Sequence, residues 1–384
     1  MTSAAVKIEP ALAALAAALR GEGPAVELSV GPDGAPAVER VDTPGIEDAA
    51  VVVRTSGSTG TPKATVLTLD ALAASSMATA VALEGEGQWL LALPVQYVAG
   101  LQVLVRSLFA GTRPWVMDLG GGFTPEAFTA AALELTDKMR FTSLVPTQLQ
   151  RLLDSPSAET LAALRRFNGI LLGGAPASPE LLAAARGAGV RVVTTYGSAE
   201  TSGGCVYDGV PLDGVEVKIA DDGRILLGGA TIAAGYLDAP GLTAETFVED
   251  DGVRWYRTND LGALDAAGRL TVLGRADDVV ITGGVKVSAA HVQAELEQLD
   301  GVLAAFVAGV PSAEWGQALA AYVAVADSSP GAIAAFTASA AWVPVLGRLA
   351  PKTVLAAGEL LMLPNGKPDR MGMTVRLHEL HQGK

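Results

Sequence analysis

Thr55-Ser56-Gly57-Ser58-Thr59-Gly60-Thr61-Pro62-Lys63 lies between two apolar runs, 49–54 and 64–68, that read as consecutive strands. Small residues let a backbone approach a bulky anion closely. Hydroxyl and amide groups can then donate to phosphate oxygens, and Lys63 supplies charge. A plain Ser/Gly connection has the same composition, so these residue types alone leave both readings open. The phosphate loop of a P-loop NTPase is excluded by spacing. That motif needs Gly, four residues, then Gly-Lys-Ser/Thr opening a helix. Here Pro62 precedes Lys63, Ala64 follows it, and the flanks read strand–loop–strand.

Outward from the loop, short apolar runs alternate with helical patterns. Asp70 is expected to cap a helix reaching about Leu83. Residues 89–93, 114–117, 141–145, 169–172 and 191–195 have strand length, with helices over 100–110, from Thr124-Pro125 and from Ser178-Pro179. This cadence predicts an α/β body of parallel strands covered by helices. After Tyr207, residues 216–219 and 224–227 flank Asp-Asp-Gly, and 261–264 and 269–273 flank Asp-Ala-Ala-Gly. Both read as hairpins, so a small all-β subdomain is expected. A second mixed unit begins near Asp278, with strands over 302–310 and 320–325 and helices near 289–299 and 331–341. The expected division is 1–277, with the β subdomain at 207–276, and a small mobile α+β domain at 278–384.

Composition bounds the function. Of 384 residues, 27 are Lys or Arg and 41 are Asp or Glu, a net charge of −14 with no basic run, which argues against a nucleic-acid partner. Cys205 is the single cysteine, so no intramolecular disulfide is possible and a cytoplasmic setting is expected. The Ala/Leu run 11–19 lacks the basic start and long apolar core of a signal peptide and reads as an amphipathic helix. The uncharged stretch 328–347 is interrupted by Pro330, Gly331, Thr337, Ser339 and Pro344; a buried helix and loop, with no integral membrane association, is expected there. His291, His378 and His381 have no metal-hydrolase spacing.

Residues 56–63 closely resemble the phosphate loop of the adenylate-forming superfamily, which comprises acyl-CoA synthetases, peptide-synthetase adenylation domains and luciferases. Further motifs follow in the order that resemblance implies: Gly173-Gly174-Ala175-Pro176, Tyr196-Gly197-Ser198-Ala199-Glu200-Thr201, Tyr256-Arg257-Thr258-Asn259-Asp260, Gly274-Arg275-Ala276-Asp277-Asp278, Thr282-Gly283-Gly284-Val285-Lys286-Val287 and Pro364-Asn365-Gly366-Lys367-Pro368-Asp369-Arg370. The first two of these, 173–176 and 196–201, leave the ends of neighbouring predicted strands, where open α/β sheets bind ligands. The resemblance implies an adenylate-forming fold in which Thr55, Ser56, Gly57, Ser58, Thr59, Gly60 and Lys63 bind the phosphates of ATP. By the same resemblance Gly174, Ala175 and Pro176 lie along the adenine, on which Tyr196 stacks beside Gly197. Glu200 holds Mg²⁺, Asp260 and Arg275 meet the ribose, and Asp277 is the hinge. Gly283 and Gly284 line a CoA channel, and Lys367, with Lys63 and Glu200, completes the catalytic set. The chain departs from the pattern at Ala199 (usually Thr, with Ser198 or Thr201 available as a substitute), at Asn259 (usually Gly), at His291 or Gln293 (usually Glu) and in a shorter loop before Lys367.

Residues 93–101 and 143–153 resemble, within that superfamily, the o-succinylbenzoate–CoA ligase branch of menaquinone biosynthesis, usually with His where Gln96 stands. This implies an aryl dicarboxylic acid as substrate, ATP and CoA as co-substrates, an acyl-AMP intermediate and a thioester product. Gln96, Tyr97, Gly100 and Ser198 are the candidate acid contacts, and Arg106 or Arg151 could meet the second carboxylate. Another aryl or acyl acid is the alternative substrate. A non-catalytic nucleotide-binding protein, suggested by Ala64, Ala199, Asn259 and His291, is the alternative from another class. The expected partners are small molecules, with a homodimer left open. The stretch before Thr55 is short for this superfamily, so a pared-down N-terminal body is expected.

Overall fold

The strand Ala49–Ser56 turns back on Pro62–Thr68 with Thr55 opposite Lys63 and Ser56 opposite Pro62. This hairpin belongs to a computed structural model describing residues 7–31, 35–56, 62–363 and 368–383. The chain forms two units. The first comprises 1–220, 225–258 and 264–271; the second comprises 221–224, 259–263 and 272–384.

In the first unit the hairpin sits inside a five-stranded sheet ordered Gly235–Tyr236, Pro62–Thr68, Ala49–Ser56, Ala25–Val30, Pro36–Val41. Val51 and Val53 face one core while Val52 faces a second with Ala25, Ala64 and Val66, so the strand is apolar on both sides. A seven-stranded sheet follows, ordered Val210–Pro211, Gly203–Tyr207, Val192–Ser198, Gly169–Leu172, Arg140–Leu144, Gln88–Leu91, Trp115–Val116. Its last five strands are parallel, as the β–α cadence predicts, and Gly203–Tyr207 returns antiparallel to Val192–Ser198.

Among the helices between these strands, Pro125–Leu133 and Pro179–Gly187 begin at side-chain caps: Thr124 accepts from Ala127 N and Ser178 from Leu181 N. At Leu69–Ala82 the cap is not Asp70 but Thr68, whose Oγ1 accepts from Ala71 N. Asp70 lies in the first turn, where a negative charge complements the exposed N–H groups. The expected hairpin Val215–Ile219/Arg224–Gly229 forms, and Leu270–Arg275 pairs with Val253–Leu264. The stretch expected to be all β also contains the helix Pro240–Thr246, opened by Pro240. Its two-residue strand Gly235–Tyr236 joins the hairpin sheet instead, placing Tyr236 opposite Thr65.

The second unit is built on the antiparallel order Val285–Ser288, Val279–Thr282, Gly316–Val325, Val302–Ser312, with Thr353–Ala357 parallel to Gly316–Val325. Ala289–Glu297 packs Val292 and Leu296 into one core, and Arg370–Gln382 packs Met373 and Leu377 into another beside Phe306, Val310 and Tyr322. The apolar stretch Pro330–Leu349 is long enough to cross a membrane by length and composition but is only 11% buried, contrary to the expected buried helix. It is two short helices, Pro330–Ser339 and Trp342–Leu346, broken where Ala340 turns left-handed at φ 46°. Trp342 and Leu346 are buried in the core, while Ile333 and Phe336 of the first helix pack against it only partly buried.

Candidate functional site

Lys63 lies at the start of its strand, with its Nζ 5.1 Å from the centre of the Tyr236 ring. The Tyr236 hydroxyl donates to Glu200 Oε1 at 2.8 Å, and both residues are buried. One ring therefore touches the lysine and orients the carboxylate that the sequence singles out. Burial and then the Glu200 charge push the Tyr236 phenol well above its ordinary range, so it stays a donor. Tyr236 is itself held by Thr243 Oγ1, which accepts its backbone N–H, and by the Phe247 ring 5.4 Å away. Sequence reading missed Tyr236; the signal was a tyrosine in the apolar run Ala233-Ala234-Gly235-Tyr236-Leu237. Thr55 is partly exposed on the neighbouring strand, and Ser56 ends it. Gly57, Ser58, Thr59, Gly60 and Lys367 lie outside the described residues.

Gly173–Pro176 follow the strand Gly169–Leu172, and Tyr196–Glu200 end Val192–Ser198, so both segments emerge at carboxyl ends of adjacent parallel strands. A Cβ on Gly173 would stand 2.3 Å from Thr195 Oγ1, and one on Gly197 would stand 2.2 Å from Gly203 O. These close approaches require glycine. Gly174, with φ 82°, and Pro176 are exposed; Ala175 and Tyr196 are half-buried. Ala199 and Glu200 fall in a short 3₁₀ turn, both buried. Of the two hydroxyls available to replace the missing Thr, Thr201 Oγ1 is occupied: it accepts from Ser198 N and donates to Gly203 O at 2.7 Å. Ser198 Oγ is buried without a partner.

Gln96 and Tyr97 are half-buried in the connection leading into the helix Val98–Phe109, and Gln96 Oε1 is buried without a partner. Gly100 is fixed by sterics, since a Cβ there would meet Pro94 O at 2.2 Å. Arg106 on the same helix is 5% exposed, whereas Arg151 is exposed on Pro146–Leu153. Gln102, one turn before Arg106, is a second polar residue that sequence reading passed over; its carbonyl oxygen is buried and unpaired.

Within the second unit, Arg275 Nε and Nη2 donate to the two oxygens of Asp277, each at 2.7 Å, while Arg275 Nη1 lies 3.9 Å from Asp260. Burial raises the Asp277 carboxyl, but the hydrogen bonds and charge of Arg275 outweigh it and hold the group low. Asp278 is pushed up by burial, only partly offset by its ion pair with Arg370. Asn259 accepts from Arg224 Nη1 at 2.6 Å, which gives the departure at that position a structural partner. Gly283 and Gly284, at φ 55° and 80°, close the hairpin Val279–Thr282/Val285–Ser288, and Gly283 N donates to Trp315 O at 3.0 Å.

The family model for AMP-binding enzymes matches residues 5–237. A probable 2-succinylbenzoate–CoA ligase of Mycobacterium tuberculosis is 45% identical over 286 residues, covering 74% of this chain and 73% of that protein. The 2-succinylbenzoate–CoA ligase of Listeria monocytogenes is 32% identical over 302 residues, 75% of this chain but only 62% of its own length. The o-succinylbenzoate CoA synthetase of Bacillus subtilis, solved in complex with its acyl-adenylate intermediate, superposes with a TM-score of 0.72 at 26% identity over 88% of this chain and 72% of that one. The expected adenylate-forming fold is borne out, and the chain belongs to the AMP-binding enzyme family.

Proposed function

We propose that the chain is an acid–thiol ligase that adenylates o-succinylbenzoate with ATP and transfers the acyl group to CoA. The 45% identity to the mycobacterial ligase carries this reading, because the match extends over 74% of the chain. The retained Lys63, Glu200, Asp260, Arg275 and Lys367 support it.

In the first half-reaction an acid oxygen attacks the α-phosphorus of ATP and pyrophosphate leaves, giving acyl-AMP. In the second, the CoA sulfur attacks the acyl carbon, AMP leaves and the thiol proton passes to solvent. The chain's own contribution is electrostatic positioning. Lys63, steadied over the Tyr236 ring, faces the leaving phosphates. Lys367 neutralises the α-phosphoryl group. Glu200 is a hard oxygen ligand suited to Mg²⁺, and its tyrosine hydrogen bond occupies Oε1, so the donor set fits. Bound there, Mg²⁺ would neutralise phosphate charge. Tyr196 stacks on adenine, Asp260 and Arg275 hold the ribose, and Gln96, Tyr97, Gly100 and Ser198 border the acid. Asp277 is the hinge between half-reactions, and Gly283–Gly284 admit CoA.

Acid-dependent exchange of labelled pyrophosphate into ATP tests the reading. Exchange with o-succinylbenzoate, followed by thioester formation on adding CoA, is expected. Exchange with another aryl or acyl acid alone would move the substrate assignment. No exchange with any acid of a panel would favour a non-catalytic nucleotide binder.

A further inference from the structure

We propose that Arg254 is a positioning residue for adenylation: it fixes the segment 233–236, from which Tyr236 orients Glu200 and faces Lys63. The inference rests on the ligase reading above and gives a role to a residue that none of the motifs includes.

The segment meets the site at several points. Ala233 N donates to Glu200 O at 2.9 Å, so the backbone of the turn that carries the carboxylate is tied to it. Ala234 N donates to Val66 O at 3.0 Å and Leu237 N to Ala64 O at 2.8 Å, which ties the same stretch to the strand carrying Lys63. Between these anchors Tyr236 gives its hydroxyl to Glu200 Oε1 and its ring face to Lys63. Glu200 is thus held through its main chain and its side chain by one short piece of backbone, and a shift of that piece moves both contacts together. Yet the paired part of this stretch is only Gly235 and Tyr236, shorter than a usual strand, so the ladder alone restrains it little.

Arg254 supplies the missing restraint. From the strand Val253–Leu264 its Nε donates to Ala233 O at 3.0 Å and its Nη2 to Ala234 O. Two donors in one plane on two successive carbonyls set direction as well as distance, which a lysine ammonium does not do. The guanidinium also lies 5.0 Å from the Phe247 ring centre, and the Phe247 ring lies 5.4 Å from that of Tyr236. The arginine therefore reaches the tyrosine by two routes, through the backbone that leads into it and through the ring packed on it. Glu249 lies 3.7 Å from Nη1 and is 75% exposed, so this ion pair contributes little and the two carbonyls are the main partners.

The test compares Arg254→Met and Arg254→Lys, each alone and combined with Tyr236→Phe. Pyrophosphate exchange, with o-succinylbenzoate or with whichever acid of the panel the wild type accepts, reads kcat and the KM for the acid. Calorimetry without acid reads the gain in ATP affinity on adding Mg²⁺. Arg254→Met is expected to lower both kcat and that gain about 10-fold, the low end for an outer partner of a metal-binding carboxylate, with KM for the acid unchanged. Arg254→Lys keeps the charge and loses the fork, so both quantities fall less but in the same direction. It decides the matter should the Met variant show no cooperative thermal transition. With Tyr236→Phe already in place, either loss should shrink to about 3-fold or less, because residues that act through one contact are not additive. The full loss repeated in that background overturns the role, as does a fall in kcat without a fall in the Mg²⁺-dependent affinity. Folded variants that lose thermal stability alone, with kcat unchanged, also overturn it and leave the ligase reading intact. Wild-type protein that shows no exchange with any acid overturns both.

Discussion

Tyr236→Phe isolates a single hydrogen bond. The substitution removes one oxygen and keeps the ring, so the Lys63 Nζ still lies over an aromatic face and Phe247 still packs against it. What disappears is the donor 2.8 Å from Glu200 Oε1. Glu200 is 7% exposed, so water cannot readily replace that donor. A hydrogen bond to a charged group contributes about 1.5–3 kcal/mol. For units of this size about 1 kcal/mol shifts the melting temperature by about 2–4 °C, so a fall of about 3–12 °C is expected. Because burial and the Glu200 charge both push the phenol upward, it remains protonated across neutral and mildly alkaline pH. The deficit should therefore be the same at pH 7 and pH 9. If Glu200 holds Mg²⁺, loss of this outer partner should also raise the Mg²⁺ needed for half-maximal pyrophosphate exchange by about 10-fold or more. Differential scanning calorimetry and a Mg²⁺ titration of exchange read the two effects separately. A melting temperature within about 1 °C of wild type would refute the energetic reasoning. An unchanged Mg²⁺ requirement in a destabilised variant would refute the coupling to metal.

Gly100→Ala places a Cβ 2.2 Å from a backbone carbonyl, Pro94 O, which has no flexible end to yield. It should cost about 1–3 kcal/mol, the usual range for overpacking, read by denaturant unfolding. Burial pushes the Cys205 thiol up to about 12, so labelling by iodoacetamide at pH 8 should be negligible in native protein and complete in guanidinium. Fast native labelling would show that the strand Gly203–Tyr207 opens. Lys367→Ala should abolish adenylation while leaving thioester formation from supplied acyl-AMP largely intact; equal loss of both half-reactions would sink that division of labour.

The parallel sheet and the phosphate hairpin were legible because their strands are short apolar runs with polar punctuation, a pattern set by burial on both faces. Val51, Val52 and Val53 state it locally, without reference to distant residues. The link between Tyr236 and Glu200 was not legible in that way. It depends on a two-residue strand pairing with Pro62–Thr68, some 170 residues earlier, and nothing in the run Gly235–Tyr236 announces the pairing. The cap at Thr68 was misplaced by two residues for a related reason. Thr and Asp are both good caps, and the choice is made by where the preceding strand ends. The fork between Arg275 and Asp277 was hidden because the motif reading assigned the two side chains separate roles, while their spacing lets them bond each other across a 3₁₀ turn.

Several positions depart from the superfamily pattern, among them Ala64, Asn259, His291 and Ala199. Ala64 lies inside a strand and faces a core with Val52 and Val66, where a polar side chain would be buried without purpose. Asn259 is tied to Arg224, a bond that glycine could not make. His291 is exposed and contributes its backbone N–H to the Ser288 cap, so its side chain bears no evident structural duty. Ala199 is the departure with a chemical consequence, and Thr201 cannot repair it because its hydroxyl already bridges Ser198 and Gly203. That leaves Ser198 Oγ, buried and unpartnered one residue before Ala199, as the hydroxyl free to donate to a ligand. Ala64 and Asn259 thus have local structural explanations, the His291 side chain carries no structural duty, and Ala199 lies beside a free donor. This distribution is what a working adenylating site with a rearranged hydroxyl would leave behind, and it weakens the case for a binder that has lost its chemistry.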